Sequence, residues 1–272
     1  MAIPNRDLDA IASVYDPSAP ATSFDWYLKR FQGDAMHGWF AGESFLELGC
    51  ATGELTSLLS PHARDYVVLE AATRNIDVTR QRVPSVRFVH GRWEEADVAG
   101  GFSDVICSGV LEHAADATVV LRRCHDWLEP GGRLHVCVPN GLSLHRQAAV
   151  ELGLLTVPWE VNDHDRAQGH WRNYTIDTLL GELPGTGWVA RHWEGIGLKP
   201  APGSEMLAWP PELLGALNRV GKRMGPVCAE LYVVAEAAIA ADPHVSADRA
   251  DRGAGRREES RWLHRPKRRD GR

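Results

Sequence analysis

Phe45-Leu46-Glu47-Leu48-Gly49-Cys50-Ala51-Thr52-Gly53-Glu54-Leu55-Thr56 decides how the chain is read. An apolar run with one embedded carboxylate ends in two glycines around small residues. Leu55, Leu58 and Leu59 then recur at helical spacing. The pattern predicts a buried strand, a tight turn and the first turns of a helix. Glycine lets the backbone approach a ligand that a Cβ would push away. The free N–H groups of the helix start point at the same place. Such a turn at the carboxyl end of a parallel strand is where doubly wound α/β folds bind nucleotides. A dinucleotide fingerprint needs Gly-x-Gly-x-x-Gly. Here Gly49, Ala51 and Gly53 are two apart, so the last glycine falls one residue early.

The flanking sequence extends the same pattern. Asp65 to Glu70 is a second buried strand closed by an acid, near the ~20-residue offset at which a carboxylate reaches a ribose diol. Such a group accepts from both hydroxyls at once. Val86 to His90 is a third strand, followed by the loop Gly91-Arg92-Trp93-Glu94-Glu95. Phe102 to Ser108 is a fourth and runs into Gly109-Val110-Leu111-Glu112-His113. Val120, Cys124, Trp127 and Leu128 mark one helix face, and Glu129-Pro130-Gly131-Gly132 turns into a strand from Arg133 to Pro139. A strand from Trp188 to Trp193, a helix from Pro211 to Lys222 and a strand from Ala229 to Val234 complete the pattern.

The stretch Glu47 to Gly53 resembles motif I of the class I S-adenosylmethionine (SAM) methyltransferases, with Ala51 in place of the middle glycine. Leu111-Glu112-His113 and Glu129-Pro130-Gly131-Gly132 are similar to further signatures of that family, and the resemblance runs from about Leu28 to Ala237. It implies an α/β fold: a doubly wound, seven-stranded, mostly parallel sheet whose last two strands form a reversed hairpin. It also implies an N-terminal helical lid over residues 1–36, from which Tyr15 and Tyr27 face the site. A SAM-binding domain over 37–241 follows, with a substrate insertion at 140–174. Residues 242–272 have little apolar content and an excess of arginine and lysine, so they are expected to be a disordered basic tail. The resemblance places Glu47, Gly49, Cys50, Ala51 and Gly53 around the cofactor, with Glu70 and Ala71 at its ribose and Ser108 beside it. Arg92, Trp93 and Glu94 fall where the family holds adenine. Arg92 departs from the acid usual there, which leaves Trp93 to stack on the purine and Glu94 to reach its amino group.

Transfer from SAM demands proximity and alignment more than covalent help from the protein. A hydroxyl acceptor benefits from a base, and histidine is suited to it. His113, after the fourth strand, is the first candidate, and His170, in the insertion, is the second. Asn140, Trp171 and Tyr27 are expected at the acceptor. Some relatives hold a divalent ion through Glu-x-x-Glu-His at this place. Here Gly109 replaces the first glutamate, and two ligands are too few for a closed site, so no metal is expected. Two rivals remain: a SAM-binding scaffold without turnover, and a nicotinamide oxidoreductase with a degenerate fingerprint.

Composition narrows the partners. The 272 residues carry a net charge of -6 and show no basic groove interleaved with aromatics, which disfavours nucleic acid. No run approaches the ~18 apolar residues of a membrane span. The first residues lack a signal-peptide pattern, and the five cysteines are scattered, so a cytoplasmic setting is expected. The tryptophans of the insertion, Trp159 and Trp171, point to a small amphipathic acceptor, methylated at oxygen in preference to nitrogen.

Overall fold

From Phe45 onwards, β1 (Ser44–Leu48) is buried on both faces, as a strand inside a parallel sheet must be. The computed structural model describes residues 8–14 and 23–238. Helices α1 (Leu8–Val14) and α2 (Asp25–Met36) precede β1. After it come α3 (Glu54–Leu59), β2 (Asp65–Glu70), α4 (Thr73–Arg82), β3 (Arg87–His90), β4 (Phe102–Ser108), α5 (Ala117–Trp127) and β5 (Leu128–Pro139). The insertion carries α6 (Leu144–Glu151) and α7 (Asp163–Ala167). The chain then adds α8 (Ile176–Gly185), β6 (Trp188–Ile196), α9 (Gly203–Met206), α10 (Pro211–Met224) and β7 (Glu230–Ala237).

The seven strands lie in the order β3-β2-β1-β4-β5-β7-β6. Only β7 is antiparallel, pairing with β5 and β6. The expected sheet and its reversed hairpin are therefore present. Alternation along the strands sends Leu46, Leu48, Val105 and Val136 to one face, and Phe45, Val68, Ile106 and Val234 to the other. Each fully buried Leu or Val contributes about 1.5–3 kcal/mol by leaving water. All five cysteines are buried free thiols.

A buried polar knot fixes the lower edge of the sheet. Asp104 accepts hydrogen bonds from the Ala41 and Gly42 N–H groups, and His135 bridges it to the Tyr232 hydroxyl at 2.8 Å on each side. This ties the approach to β1 to β4, β5 and β7 and leaves the opposite edge for loops.

Some boundaries differ from expectation. Leu128 leaves the helix and opens β5, because its backbone is already extended. In the N-terminal segment, α1 rests on α4, and α2 on α3 and β6. Arg74 on α4 donates its backbone N–H to Asp9 and its guanidinium to the Ala12 carbonyl. Tyr15 and the tail 242–272 lie outside the described residues. Among the described residues no helix is long and apolar enough to cross a membrane.

Candidate active site

A cavity of about 1130 Å³ runs along the carboxyl edge of the parallel strands. One ligand pocket usually takes about 300–1,000 Å³, so there is room for two molecules.

At the β1 end the wall is the turn after the strand. Gly49 has φ +71, and a Cβ there would come within 3.3 Å of the Trp93 ring. Ala51 holds φ +46, a left-handed conformation that costs an L-residue about 1–2 kcal/mol. That is the physical reason the related motif carries glycine at this position. Gly53, with φ +78, lies outside the wall; a Cβ there would strike Thr79 at 2.7 Å, so it serves the packing of α3 on α4. Glu47 is buried and accepts from Thr56 Oγ1 at 2.6 Å and the Tyr66 hydroxyl at 3.0 Å. Burial pushes its carboxyl up to about 7.

Glu70 lines the cavity, but its carboxylate is already held by the chain. It accepts from the N–H groups of Cys50 (3.1 Å), Ala71 (2.9 Å) and Ala72 (2.8 Å), and from Asn75 Nδ2 (3.3 Å). These four donors fill the usual capacity of a carboxylate. The acid clamps β1 and β2 together at their carboxyl ends, and any ligand hydroxyl must share or displace a donor. Arg92, Trp93 and Glu94 also face the cavity, and Arg92 Nε and Trp93 Nε1 are buried without a hydrogen-bond partner.

The middle of the cavity lies beyond β4. Ser108 accepts from Lys29 Nζ at 3.2 Å and donates to Gln32 Oε1 at 2.8 Å, which fixes α2 against the strand end. His113 and His170 meet edge to face with ring centroids 4.8 Å apart. The Trp171 N–H donates to the Glu112 carbonyl at 2.8 Å, clipping the insertion onto the loop after β4. His170 Nδ1 lies 4.0 Å from Asp165, which Arg146 (3.2 Å) and Asn173 (2.9 Å) hold in place. Burial pulls the His170 imidazole down to about 4, with Asp165 opposing, so it is neutral at pH 7. Glu112 Oε2 is buried without a hydrogen bond, and burial pushes that carboxyl up to about 8. Ligand atoms of Glu112, His113 and His170 fall within 4.8 Å of one another, a group able to hold a metal ion.

Two residues expected at the acceptor have other duties. Tyr27 lies outside the cavity wall, in an aromatic cluster with Trp26 at 4.9 Å and Phe24 at 6.0 Å. The face of α2 that reaches the cavity presents Asp25, Leu28 and Lys29 instead. Asn140 is in the wall, but its amide donates to the Pro226 and Cys228 carbonyls at 2.7 Å and accepts from Leu142 N–H. It staples the end of β5 to the loop before β7 and has no N–H left for a ligand. Trp171 lines the cavity, 43% exposed. Sequence reasoning missed Lys29, His145, Asp165, Lys199 and Glu230, which the fold brings to the wall from five separate segments. His145 and Asp165 do lie in the stretch already set apart as an insertion.

A family model described as a methyltransferase domain matches residues 27–192. A ubiquinone biosynthesis O-methyltransferase of Cereibacter sphaeroides is 35% identical over 103 residues, 36% of this chain and 41% of that protein. The chain thus spans less than half the length of the curated relative it matches. Among solved structures, the CcbJ methyltransferase of Streptomyces caelestis superimposes with a TM-score of 0.59 at 17% identity, covering 85% of this chain and 97% of that one. The N-methyltransferase NodS of Bradyrhizobium japonicum, crystallised with S-adenosylhomocysteine, gives 0.51 at 14%, covering 79% and 88%. These two likenesses are of fold.

Proposed function

The chain belongs to the methyltransferase domain family, and from that premise we propose that it moves a methyl group from SAM to an oxygen of a small amphipathic molecule. The observation that carries the oxygen reading is the His113–His170 pair, in the wall of the same cavity as the Gly49 turn and after the strand next to it.

The residues at the β1 end fit SAM. The left-handed turn at Gly49 lets the Trp93 ring lie against the backbone, and Trp93 Nε1 is a buried donor awaiting an acceptor such as a purine nitrogen. Glu70 and Ala71 stand at the ribose, and Glu47 supports the turn from beneath. When bound, SAM supplies a methyl group already activated on a sulfonium, so transfer is a direct displacement. His113 or His170 takes the proton of an acceptor hydroxyl as the new bond forms, and the neutral imidazole of His170 is in the right state for this. Asp165 lies 4.0 Å from His170 Nδ1, beyond hydrogen-bond distance, and acts on the ring through its charge. The apolar mouth, with Leu152 and Leu154 among its lining, suits an acceptor with a hydrophobic body. The similarity to O-methyltransferases of ubiquinone biosynthesis supports the same acceptor atom.

A second reading is favoured by the unpartnered Glu112 oxygen. The sequence offered Glu112 and His113 with His164 or His170 as a third ligand, and of these two it is His170 whose ring lies within reach of the pair. Three protein ligands with open positions suit a catalytic divalent cation. Held there, a cation would polarise an acceptor oxygen.

The test is transfer of labelled methyl from SAM into a panel of phenols, alcohols and amines, with and without chelator. Label in the hydroxyl compounds supports the proposal, and label confined to amines overturns the oxygen reading. Calorimetric binding of S-adenosylhomocysteine without turnover of any acceptor supports a scaffold instead. Thermal stabilisation by NAD and not by SAM supports an oxidoreductase. Chelator-abolished turnover that a divalent ion restores supports the metal reading.

A further inference from the structure

At the far end of the cavity, one cation is held only by an aromatic ring and by two carboxylates beyond ion-pair distance. β6 runs parallel to β1, so its carboxyl end opens at the same edge as the Gly49 turn. Lys199 leaves the sheet there and lines the cavity. Its ammonium sits 5.7 Å from the Phe24 ring centroid, and the missing side chain of Gly203 makes space beside it. Among the described residues it makes no hydrogen bond and no ion pair. Burial pulls its pKa down, while Asp25 and Glu230 oppose this from beyond ion-pair distance. The neighbouring cations are otherwise engaged. Lys29 bonds Ser108 and Gln32 and faces Glu230, and Arg146 is spent on Asp165 and two backbone carbonyls. His145 lines the same end, and its Nδ1 is buried without a hydrogen-bond partner. Burial holds the ring neutral down to about pH 3, helped by Lys199 and Arg146.

We propose that this end is a carboxylate subsite, with Lys199 as its cation and His145 as its neutral hydrogen-bonding partner, and that the methyl acceptor is an organic acid. The word acceptor rests on the methyl-transfer reading; the subsite itself does not. Lys199 is half-buried on the cavity wall, and a ligand carboxylate there gains a charge-assisted hydrogen bond from an ammonium that makes none among the described residues. One positive charge beside Asp25 and Glu230 matches a single carboxylate better than a phosphate dianion. The strands ending at the histidine pair and at Lys199 are three steps apart in the sheet. At ~4.8 Å per step this is about 14 Å, so the acid and the methylated oxygen belong to opposite ends of one molecule.

The test uses hydroxyaryl carboxylic acids and their primary amides, matched pair by pair, with binding followed by ligand-observed NMR on protein saturated with S-adenosylhomocysteine. Acids are expected to bind at least tenfold tighter than their amides, as a charge-assisted hydrogen bond implies. Lys199→Met should lower acid binding by about tenfold or more and leave the amides unchanged, and Lys199→Arg should retain the preference. Unchanged S-adenosylhomocysteine affinity in each variant shows that the fold survives. Equal binding of acids and amides, no acid binding, or full acid affinity in Lys199→Met overturns the subsite. Failure of S-adenosylhomocysteine to bind the wild type instead unseats the methyl-transfer reading. The acid preference is then measured on the protein alone.

Discussion

At the β1 end of the cavity, the Glu70 carboxylate takes four donors from the turn after β1, its own turn and the helix after it, and Glu47 is bonded to Thr56 and Tyr66. At the β6 end, Lys199 and the Nδ1 atom of His145 have no such partners. The first end is held together by residues within about one βαβ unit. The second is assembled from α2, α6 and the loop after β6, which meet only through the sheet order. Hydrogen bonds satisfied inside the fold spend their energy on stability, whereas groups left without partners spend it when a ligand arrives. The two ends should therefore respond differently to substitution: the β1 end in stability, the rest of the cavity in binding and rate.

The sharpest expected effect lies in the middle of the cavity. His113→Ala should lower kcat by about 10²–10⁴-fold while S-adenosylhomocysteine affinity stays within a few fold. A folded variant that turns over at the wild-type rate would pass the role of base to His170.

Stability at the two ends can be compared through glycines of similar backbone. Gly53→Val forces a side chain into Thr79 at a left-handed position and should cost about 2–5 kcal/mol in chemical denaturation. Gly153→Val, at φ +70 in the insertion with nothing within 4 Å, should cost only about 1–2 kcal/mol. Equal losses would erase the contrast.

Glu47 gives a pH test. Its carboxyl is raised from 4.5 to about 7 in the fold, so the native state holds a proton that the unfolded state releases. Stability from this group is therefore intact below pH 4.5 and falls as pH rises to 7, by about 3 kcal/mol in order of magnitude. Glu112 is shifted in the same direction, so the useful quantity is the difference between wild type and Glu47→Gln. Denaturation midpoints should lose part of their decline between pH 5 and 7 in the variant. An unchanged slope would show that burial is not the dominant influence on Glu47.

The smallest effect should be a gain. Ala51→Gly removes left-handed strain and should add up to about 1 kcal/mol, offset in part by the greater freedom of glycine in the unfolded chain. A loss of stability would mean that the alanine methyl packs better than its backbone angle suggests.

What was legible in the sequence follows the same division. The strand, turn and helix at Glu47–Thr56 are a local pattern, and so is the acid at Glu70, because strand and helix periodicities act over a few residues. That the Glu70 oxygens are occupied by backbone N–H groups was not legible, since donor directions depend on the turn geometry. Tyr27 was misplaced because one and two helical steps separate it from Leu28 and Lys29, which do face the cavity. Asn140 was placed in the wall but not in its bonds, which go to carbonyls near residue 227 in the chain. Lys199 follows a strand without any local mark, and only the parallel course of β6 brings it to the cavity.

The position of β7 carries a consequence for how the molecule is made. This strand is late in the chain, yet it wedges between β5 and β6 and pairs with both. During synthesis from the amino terminus, β2, β3, β4 and β5 each find a sheet neighbour already made, while β6 waits for a partner until residues 230–237 have left the ribosome. Pairings of long sequence separation form slowly, and waiting strand edges invite association with other chains. The β1 end of the sheet is thus set to mature before the β6 end, and the strand that leads to Lys199 is the one that waits longest for a partner.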